Sequence, residues 1–362
     1  MKHITIIAGA RPNFIKIAPI IHAIHAIQNR GVDFSYRLIH TGQHYDKKMS
    51  GDFFEQLQIP EPHANLNAGG GTQAEQTANI MVRFEKDLLE NPTDLVLVVG
   101  DVTSTMACAI VAQKLHTKVA HVEGGIRSND WTMPEEINRL VTDAITNYFF
   151  TTSEVANQNL LNSGIKREQI FFVGNTMIDT LLRQEPNFRQ PEIWSEIGLK
   201  EKSYIVMTLH RPANVDQEES LKNLLEEIID NSQDLPLVFP VHPRTAKNLE
   251  HLAISNPRLH LIEPLGYLEF NYLVKNAKAV ITDSGGITEE TTVMGIPCMT
   301  LRNNTERPET ITTGTNELLG TNPKSIKPAF EKLLSGNWKK GSIPEKWDGK
   351  TSQRIVQILI EL

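Results

Sequence analysis

The sequence predicts an α/β protein built on parallel β-sheets, and three observations lead to this prediction. Short apolar runs alternate with longer amphipathic segments along the 362 residues. Several runs are apolar nearly throughout, as expected for strands covered on both faces. The pattern restarts near residue 204, and a chain of this length fits two domains. We therefore expect two Rossmann-like halves with a cleft between them.

The first half, residues 1–182, forms the predicted N-terminal domain. Its apolar runs predict strands over 3–10, 34–42, 95–101, 119–125 and 148–153, and the run QIFFVGNT follows at 169–176. Helical patterns occupy 14–28, 104–116 and 134–146, and a further helix runs through Leu182. The opening stretch lacks a small-residue cleavage site, so it is interpreted as the first strand rather than a signal peptide.

The second half, residues 183–350, forms the predicted C-terminal domain. It begins with a charged, proline-containing connection over 183–203. The strand candidates are 204–210, 235–243, 259–265, 279–286 and 297–302, with a helix near 218–231. A last amphipathic helix, 351–362, is expected to pack back on the first domain.

Composition narrows the function classes. Lys and Arg number 36 against 43 Asp and Glu, a net charge of −7, which argues against nucleic acid or anionic membrane as a partner. Cys108 and Cys298 lie in apolar surroundings, and no apolar run approaches the ~18 residues needed to span a bilayer. We expect a cytoplasmic protein without disulfides.

Two strand-to-helix turns have the features of anion sites. In GARPNFIK (9–16), Arg11 and Lys16 flank a predicted helix start, where free N–H groups attract phosphate. In DSGGITEE (283–290), Ser284, Gly285 and Gly286 would let the backbone approach a diphosphate, with Glu290 placed to bind sugar hydroxyls. The alternatives are a turn with solvated basic residues and an ordinary serine N-cap.

Carboxylates follow neighbouring predicted strands. Asp101 and Glu123 come at strand ends, and Glu135 and Arg139 follow at helical spacing i, i+4. Carboxylates at the mouth of a parallel sheet are candidates for a general acid and a general base. Each one alone also fits an N-cap or a salt bridge.

Two histidines, His210 and His242, directly follow strands of the second half and are candidates to neutralise a leaving phosphate, or to pack beneath a loop. No GxGxxG, P-loop or HExxH is present, which disfavours a dinucleotide cofactor and a P-loop. His40 and His44 lack a further ligand at metal spacing, so no metal site is predicted.

Taken together and in order, these motifs resemble the non-hydrolysing UDP-N-acetylglucosamine 2-epimerases. The set is GARPNFIK, TGQHYD, VVGDVTST, HVEGGIR, MPEEINR, GNTMID, LHRPAN, DSGGITEE and TERPE. The resemblance implies a GT-B fold, a homodimer, and interconversion of UDP-GlcNAc and UDP-ManNAc without a cofactor. It also implies elimination of UDP to a 2-acetamidoglucal, followed by re-addition.

The resemblance further implies roles for individual residues. Asp101, Glu123 and Glu135 match the catalytic carboxylates, and His210 matches the histidine near the diphosphate. Substrate contacts are implied for Arg11, Lys16, Arg139, Phe270, Ser284, Gly285, Gly286, Glu290 and Arg307. Which carboxylate removes the C2 proton stays open.

One departure from the family pattern concerns activation by substrate. Members activated by UDP-GlcNAc carry QHR followed by Gln, and an Arg-Gln pair about 25 residues on; here the stretches are Gln43-His44-Tyr45-Asp46 and Gly71-Thr72. We expect weak or absent activation, and a sigmoidal rate curve abolished by trace UDP-GlcNAc would count against it.

Four other functions stay open at this point. Relatives that epimerise UDP-2,3-diacetamido-glucuronate share the TGQHYD and MPEEINR wording, although TERPE favours the plain GlcNAc substrate. A hydrolysing epimerase uses almost the same residues. A GT-B glycosyltransferase would need an acceptor site, and a non-catalytic nucleotide-sugar sensor would be expected to lose Asp101, Glu123 or His210.

Overall fold

The computed structural model describes residues 2–42, 54–241, 245–246, 249, 254 and 256–362. The chain divides into two compact units, Met1–Thr180 with Glu345–Leu362, and Leu181–Pro344. Each unit contains one sheet in which all strand pairs are parallel, so the predicted α/β class with parallel sheets is confirmed. Across the described residues, no helix combines the length and apolarity that crossing a membrane requires.

Seven strands form the sheet of the first unit, in the order β3-β2-β1-β4-β5-β6-β7. They are β1 (Lys2–Ala8), β2 (Phe34–His40), β3 (Ala64–Asn65), β4 (Leu95–Val99), β5 (Lys118–Val122), β6 (Tyr148–Thr151) and β7 (Ile170–Phe172). The helices are α1 (Arg11–Gln28), α2 (Gln73–Glu90), α3 (Thr103–Lys114), α4 (Pro134–Ile145), α5 (Glu154–Asn162) and α6 (Thr176–Gln184).

Strand β4 shows why these runs are apolar throughout. All five of its residues are buried. Leu95 and Leu97 belong to the apolar cluster that includes α1, whereas Val96 and Val98 belong to a second cluster with α2 and α3. Because side chains alternate across a strand, both faces of this sheet are covered by helices.

The second unit has a six-stranded sheet in the order β10-β9-β8-β11-β12-β13. Its strands are β8 (Ile205–Thr208), β9 (Leu237–Pro240), β10 (Leu259–Ile262), β11 (Ala279–Thr282), β12 (Cys298–Thr300) and β13 (Asn316–Leu318). Its helices are α7 (Glu192–Glu196), α8 (Pro212–Val215), α9 (Glu218–Asn231), α10 (Tyr267–Asn276), α11 (Gly285–Met294), α12 (Pro308–Thr312) and α13 (Ile326–Leu334).

Both strand orders contain a switch point, where the chain reverses the direction in which strands are added. In the first sheet this point lies between β1 and β4, and in the second between β8 and β11. Ligands of open α/β sheets bind beyond the carboxyl ends of the strands at such points. The turns after these four strands are therefore where a site is expected.

Most predicted strands extend past the observed ones at their carboxyl ends. The run 95–101 was predicted as strand, but β4 ends at Val99, and Gly100 has a φ of +67°. This left-handed conformation ends the extended chain and begins the turn. The same happens after β5, where Glu123 has a φ of +71°.

The C-terminal segment packs in the first unit. Helix α14 (Thr351–Glu361) places Ile355, Val356 and Leu359 in the apolar cluster of α1. Just before it, the buried Trp347 donates its indole N–H to the Thr152 carbonyl at 3.0 Å.

Asp179, from the GNTMID motif, anchors the start of α14. Its carboxylate accepts the backbone N–H groups of Thr351 at 3.1 Å and of Ser352 at 2.6 Å. These are donors of a helix N-terminus, which have no partner within the helix and are stabilised by an acid.

We expect Asp179→Ala to loosen α14 without unfolding the rest of the first unit. Loss of a buried helix cap costs about 1–2 kcal/mol, so amides of α14 should exchange with solvent roughly 10-fold faster. Hydrogen exchange read by mass spectrometry measures this. Glu168→Ala, which removes an exposed acid of the first unit away from α14, is the control. Equal exchange in the two variants would contradict the anchor.

Candidate active site

In the first unit, an ion pair lies where β4 and β5 end. Lys16 Nζ on α1 is 2.7 Å from Glu123 Oε2, and both side chains are largely buried. A Cβ on Gly100 would lie 3.3 Å from Lys16 Nζ, so the glycine leaves this pair its space. The left-handed backbone of Glu123 is rarely adopted by a non-glycine residue, and such strain clusters at functional sites.

Asp101 is held from α4. Arg139 donates to Asp101 Oδ2 from Nη2 at 2.6 Å and from Nε at 3.1 Å. Asn138 donates its amide to the Asp101 backbone carbonyl at 2.8 Å. The Asp101 side chain keeps 32% of its surface exposed, whereas Arg139 keeps 3%. The carboxylate is therefore fixed in orientation and still open to a ligand.

The acid that holds Arg139 is Glu136. Its Oε2 lies 2.6 Å from Arg139 Nη1, three residues along the helix. It also accepts the N–H groups of Ser128 and Asn129 and the Ser128 hydroxyl. Burial alone would raise the pKa of Glu136, but these hydrogen bonds outweigh it and lower the pKa. The sequence analysis paired Arg139 with Glu135 instead, at spacing i, i+4. Glu135 is the residue before Glu136 in α4 and is partly exposed.

Asn13 fixes the turn that carries Arg11. Its Oδ1 accepts the N–H groups of Gly9 and Ala10, and its Nδ2 donates to the Val99 carbonyl at 3.1 Å. The turn after β1 is thereby tied to the end of β4, across the switch point. Arg11 is the first residue of α1 and is exposed.

At the switch point of the second unit, His210 meets Asp283. His210 Nδ1 lies 2.8 Å from Asp283 Oδ1, and Asp283 also accepts the N–H groups of His210 and Arg211 and the Asn214 amide. Burial would raise the pKa of Asp283, but these donors outweigh it and lower the pKa. Asp283 thus stays an acceptor, which directs His210 Nε2 away from it on a ring that is about half exposed.

Ser284, Gly285 and Gly286 form the start of α11. Ser284 is the N-cap but its side chain makes no capping hydrogen bond, so the ordinary N-cap alternative is not observed. A Cβ on Gly285 would lie 2.8 Å from Glu306 Oε1, so a side chain here would require the Glu306 carboxylate to move. The first turn of this helix keeps the backbone donors that attract phosphate.

Glu290, one turn further along α11, is buried against α10. The Tyr267 hydroxyl donates to Glu290 Oε1 at 2.8 Å. Burial raises the pKa of Glu290 to about 7; the Tyr267 hydrogen bond opposes this shift and the charge of Glu289 adds to it. Phe270, on the same helix as Tyr267, packs partly buried on an apolar cluster of the second unit.

Arg307 is placed in a buried ion pair rather than on an open surface. Its Nε contacts Glu289 Oε1, and both side chains are at most 5% exposed. Arg302, five residues earlier, pairs with Glu306 at 2.5 Å. The carboxylate partners of both arginines thus come from the second unit itself.

Two predictions concern residues outside the described part of the chain: the stretch Gln43-His44-Tyr45-Asp46, and His242. The second departure, Gly71-Thr72, is described. Thr72 is the N-cap of α2, where its hydroxyl accepts the Glu75 N–H at 3.2 Å and its own N–H donates to Glu75 at 2.8 Å. This reciprocal pair is a capping box.

The site also contains polar residues that the sequence analysis missed. Asn13, His121, Glu136, Asn138, Asp143, Asn214 and Asp283 are all buried and hydrogen-bonded at the strand ends. The sequence does contain a signal for some of them. Glu136, Arg139 and Asp143 fall on one face of α4, where a packed helix would normally have apolar residues.

Each unit therefore presents charged and hydrogen-bonded side chains at the carboxyl ends of a parallel sheet. This arrangement is typical of an α/β enzyme, with carboxylates at the strand ends of one unit and a glycine-containing helix start at the strand ends of the other.

Comparison with known proteins identifies the family. The UDP-N-acetylglucosamine 2-epimerase family model matches residues 25–360. The UDP-N-acetylglucosamine 2-epimerase of Methanocaldococcus jannaschii is 43% identical, over 98% of both chains. The UDP-2,3-diacetamido-2,3-dideoxy-D-glucuronate 2-epimerase of Pseudomonas aeruginosa is 40% identical, over the full length of both.

A solved structure of a relative supports the same family assignment. The crystal structure of the Methanocaldococcus jannaschii enzyme in complex with UDP-GlcNAc and UDP superimposes with a TM-score of 0.87 at 42% identity, covering 99% of this chain and all of the other. The chain belongs to the UDP-N-acetylglucosamine 2-epimerase family, a family of isomerases. The family resemblance and the GT-B class of fold are thereby confirmed.

The pKa of Glu290 leads to a prediction about stability. A buried acid whose pKa rises from 4.5 to about 7 favours the folded state at low pH, and this contribution is lost as pH rises toward and through 7. The difference corresponds to about 3 kcal/mol. Glu290→Gln, which stays neutral, should therefore be more stable than wild type at pH 8 and gain little at pH 4.5.

Thermal unfolding of both proteins across pH 4.5 to about 8 measures this effect. Glu218→Gln, an exposed position at the start of α9, is the control and should parallel wild type. Parallel curves for Glu290→Gln and wild type would contradict the shift.

Proposed function

We propose that this chain is a non-hydrolysing UDP-GlcNAc 2-epimerase, which interconverts UDP-GlcNAc and UDP-ManNAc. The observation that carries the proposal is the pair of carboxylates at the neighbouring ends of β4 and β5, Asp101 held by Arg139 and Glu123 by Lys16. Family membership, and the relative whose crystal structure contains UDP-GlcNAc and UDP, support it.

In the proposed reaction UDP leaves C1 as the proton at C2 is removed, which gives a 2-acetamidoglucal. UDP then adds back while C2 receives a proton on the other face. Asp101, Glu123 and Glu135 are proposed to move the C2 proton, because carboxylates in different surroundings suit acid and base roles.

The leaving diphosphate is proposed to bind in the second unit. The Ser284–Gly286 turn offers backbone donors, and His210 offers Nε2 on a ring oriented by Asp283. Glu290 is proposed to bind the ribose hydroxyls and Phe270 to lie near the uracil. Arg11 is proposed to contact the nucleotide sugar from the first unit. Arg307, which is paired with Glu289, is proposed as a further polar contact of the UDP site.

Proton NMR of the purified protein with UDP-GlcNAc in deuterated water tests the function. UDP-ManNAc, with deuterium at C2 of both epimers and no added cofactor, is expected. Free ManNAc and UDP would instead indicate the hydrolysing reaction.

An unchanged spectrum would favour the second candidate, epimerisation of UDP-2,3-diacetamido-glucuronate, which the 40% identical Pseudomonas relative supports. Such a substrate carries an extra carboxylate, which distinguishes it from UDP-GlcNAc. A glycosyltransferase would require an acceptor and would leave UDP-GlcNAc alone unchanged.

Glu123→Gln should abolish turnover while UDP still binds, because Glu123 lies in the first unit and the proposed diphosphate site in the second. The amide keeps the shape but cannot take a proton, so kcat should fall about 10²–10⁴-fold. Arg11→Ala should weaken both binding and turnover. Calorimetry measures the affinity for UDP, and the NMR assay measures turnover. The exposed Glu90→Gln is the control. Full activity in Glu123→Gln would remove this carboxylate from the mechanism.

We also propose that the protein is a homodimer. Val82 and Leu89, seven residues apart on α2, are 68% and 65% exposed, and Ile137 on α4 is 45% exposed. Apolar side chains at one helical face suit burial against a second copy.

The double variant Val82→Glu with Leu89→Glu should be monomeric by light scattering. Ile343→Glu, an exposed apolar position of the second unit, should leave the dimer intact. A monomeric wild type would end the proposal.

A further inference from the structure

A buried three-residue cluster lies directly beneath the turns that carry Asp101 and Glu123. It consists of His121 on β5, Asp143 on α4 and Arg127 from the connection between them. His121 Nδ1 is 2.8 Å from Asp143 Oδ1, and Arg127 Nη1 is 2.6 Å from Asp143 Oδ2. His121 has no exposed surface, and the Asp143 side chain keeps 3%. The reaction proposed above gives none of the three a role.

The hydrogen-bond partners determine where the ring protons lie. His121 Nε2 is 2.8 Å from the Gly100 carbonyl oxygen, which only accepts. Burial would raise the pKa of Asp143, but the hydrogen bond and charge of His121 and the charge of Arg127 outweigh it and lower the pKa. Asp143 is therefore an ionised acceptor, so that acceptors face both ring nitrogens of His121.

The same cluster joins the two turns. Gly100 O belongs to the peptide group that leads into Asp101, and it is held by His121. Asp143 Oδ2 accepts the N–H of Gly125 at 3.0 Å, two residues beyond Glu123. The turns after β4 and β5, which carry Asp101 and Glu123, are thus both hydrogen-bonded to the buried pair of His121 and Asp143.

Gly124 shows how closely the cluster packs on the second turn. A Cβ at this position would lie 3.4 Å from both His121 Nδ1 and Asp143 Oδ1, and 2.8 Å from Phe149 Cδ1. A side chain here would collide with the Phe149 ring, whereas the two cluster atoms lie at ordinary contact distance. The glycine therefore lets the turn after β5 pack closely against Phe149 beside the cluster.

We propose that His121 is a positioning residue that, by donating from both ring nitrogens, sets the placement of the Asp101 and Glu123 turns. The inference rests on the proposed function, since it assigns these two carboxylates to the proton transfer at C2. His121 acts through the Gly100 carbonyl and through Asp143, and it needs no contact with the substrate.

The first test reads the ring itself and does not depend on activity. Nitrogen-15 NMR of labelled protein, with the His121 signal assigned by its loss in His121→Gln, should show a proton on both ring nitrogens at neutral pH. A ring with one unprotonated nitrogen would overturn the proposal, because one of the two links would be absent. This result stands even if the wild type turns over a different nucleotide sugar.

The second test compares two variants in the epimerase assay. His121→Phe keeps the ring but has no donors, and a misplaced catalytic group costs about 10²-fold in rate, so kcat should fall about 10- to 100-fold. The KM for UDP-GlcNAc and the affinity for UDP should stay within about 3-fold, because positioning acts on the chemical step.

His25→Phe is the matched control. It makes the same substitution near the carboxyl end of α1 and outside the cluster, where His25 Nε2 lies 2.9 Å from the Tyr36 hydroxyl on β2. Its kcat should stay within about 3-fold of wild type. A loss as large as that of His121→Phe would overturn positioning as the role, and so would wild-type kcat in His121→Phe.

Should His121→Phe fail to fold, His121→Gln takes its place. The glutamine amide keeps one donor toward the Gly100 carbonyl, so its kcat should fall less than 10-fold with KM unchanged. Equal losses in kcat and in UDP affinity would indicate general unfolding of the site and would overturn the proposal.

Discussion

The charged inner face of α4 is the constraint on which the first unit depends. Its buried residues are all polar: Glu136, Asn138, Arg139, Thr142 and Asp143. A helix packed in a protein interior normally buries an apolar stripe. Here every buried charge has a partner of opposite charge and further hydrogen bonds. Buried ions are tolerated under this condition. The helix therefore orients strand-end side chains as well as covering the sheet.

The second unit uses the same physical device at its own switch point. Asp283 has no exposed surface and accepts hydrogen bonds from the turn after β8 and from α8. Because it follows β11, it links the two strands between which the sheet reverses order. One ionised, fully bonded acid thereby fixes His210 and the start of α11 together. In both units a buried acid acts as an anchor for more exposed groups.

The sequence allowed the fold class to be predicted, as well as the positions of Asp101, Glu123 and His210 just after strands, because both depend on local pattern. Apolar runs mark strands, and residues directly after them mark the sheet edge. The anchors escaped prediction because their partners are distant along the chain: Asp143 and His121 are 22 residues apart, and Asp283 and His210 are 73 apart. The i, i+4 rule also pointed to Glu135, whereas the observed partner of Arg139 is Glu136 at i, i+3.

Buried ion networks of this kind are rarely the most stable solution. Apolar residues of similar volume often match or exceed them, because charged groups lose their hydration on burial. In the proposed reaction, the networks beside Asp101, Glu123 and His210 have a role other than stability. They fix the direction of each group before a ligand arrives, so that little reorganisation is required. The left-handed backbone of Glu123 fits the same account, because such strain persists only where surrounding contacts hold it.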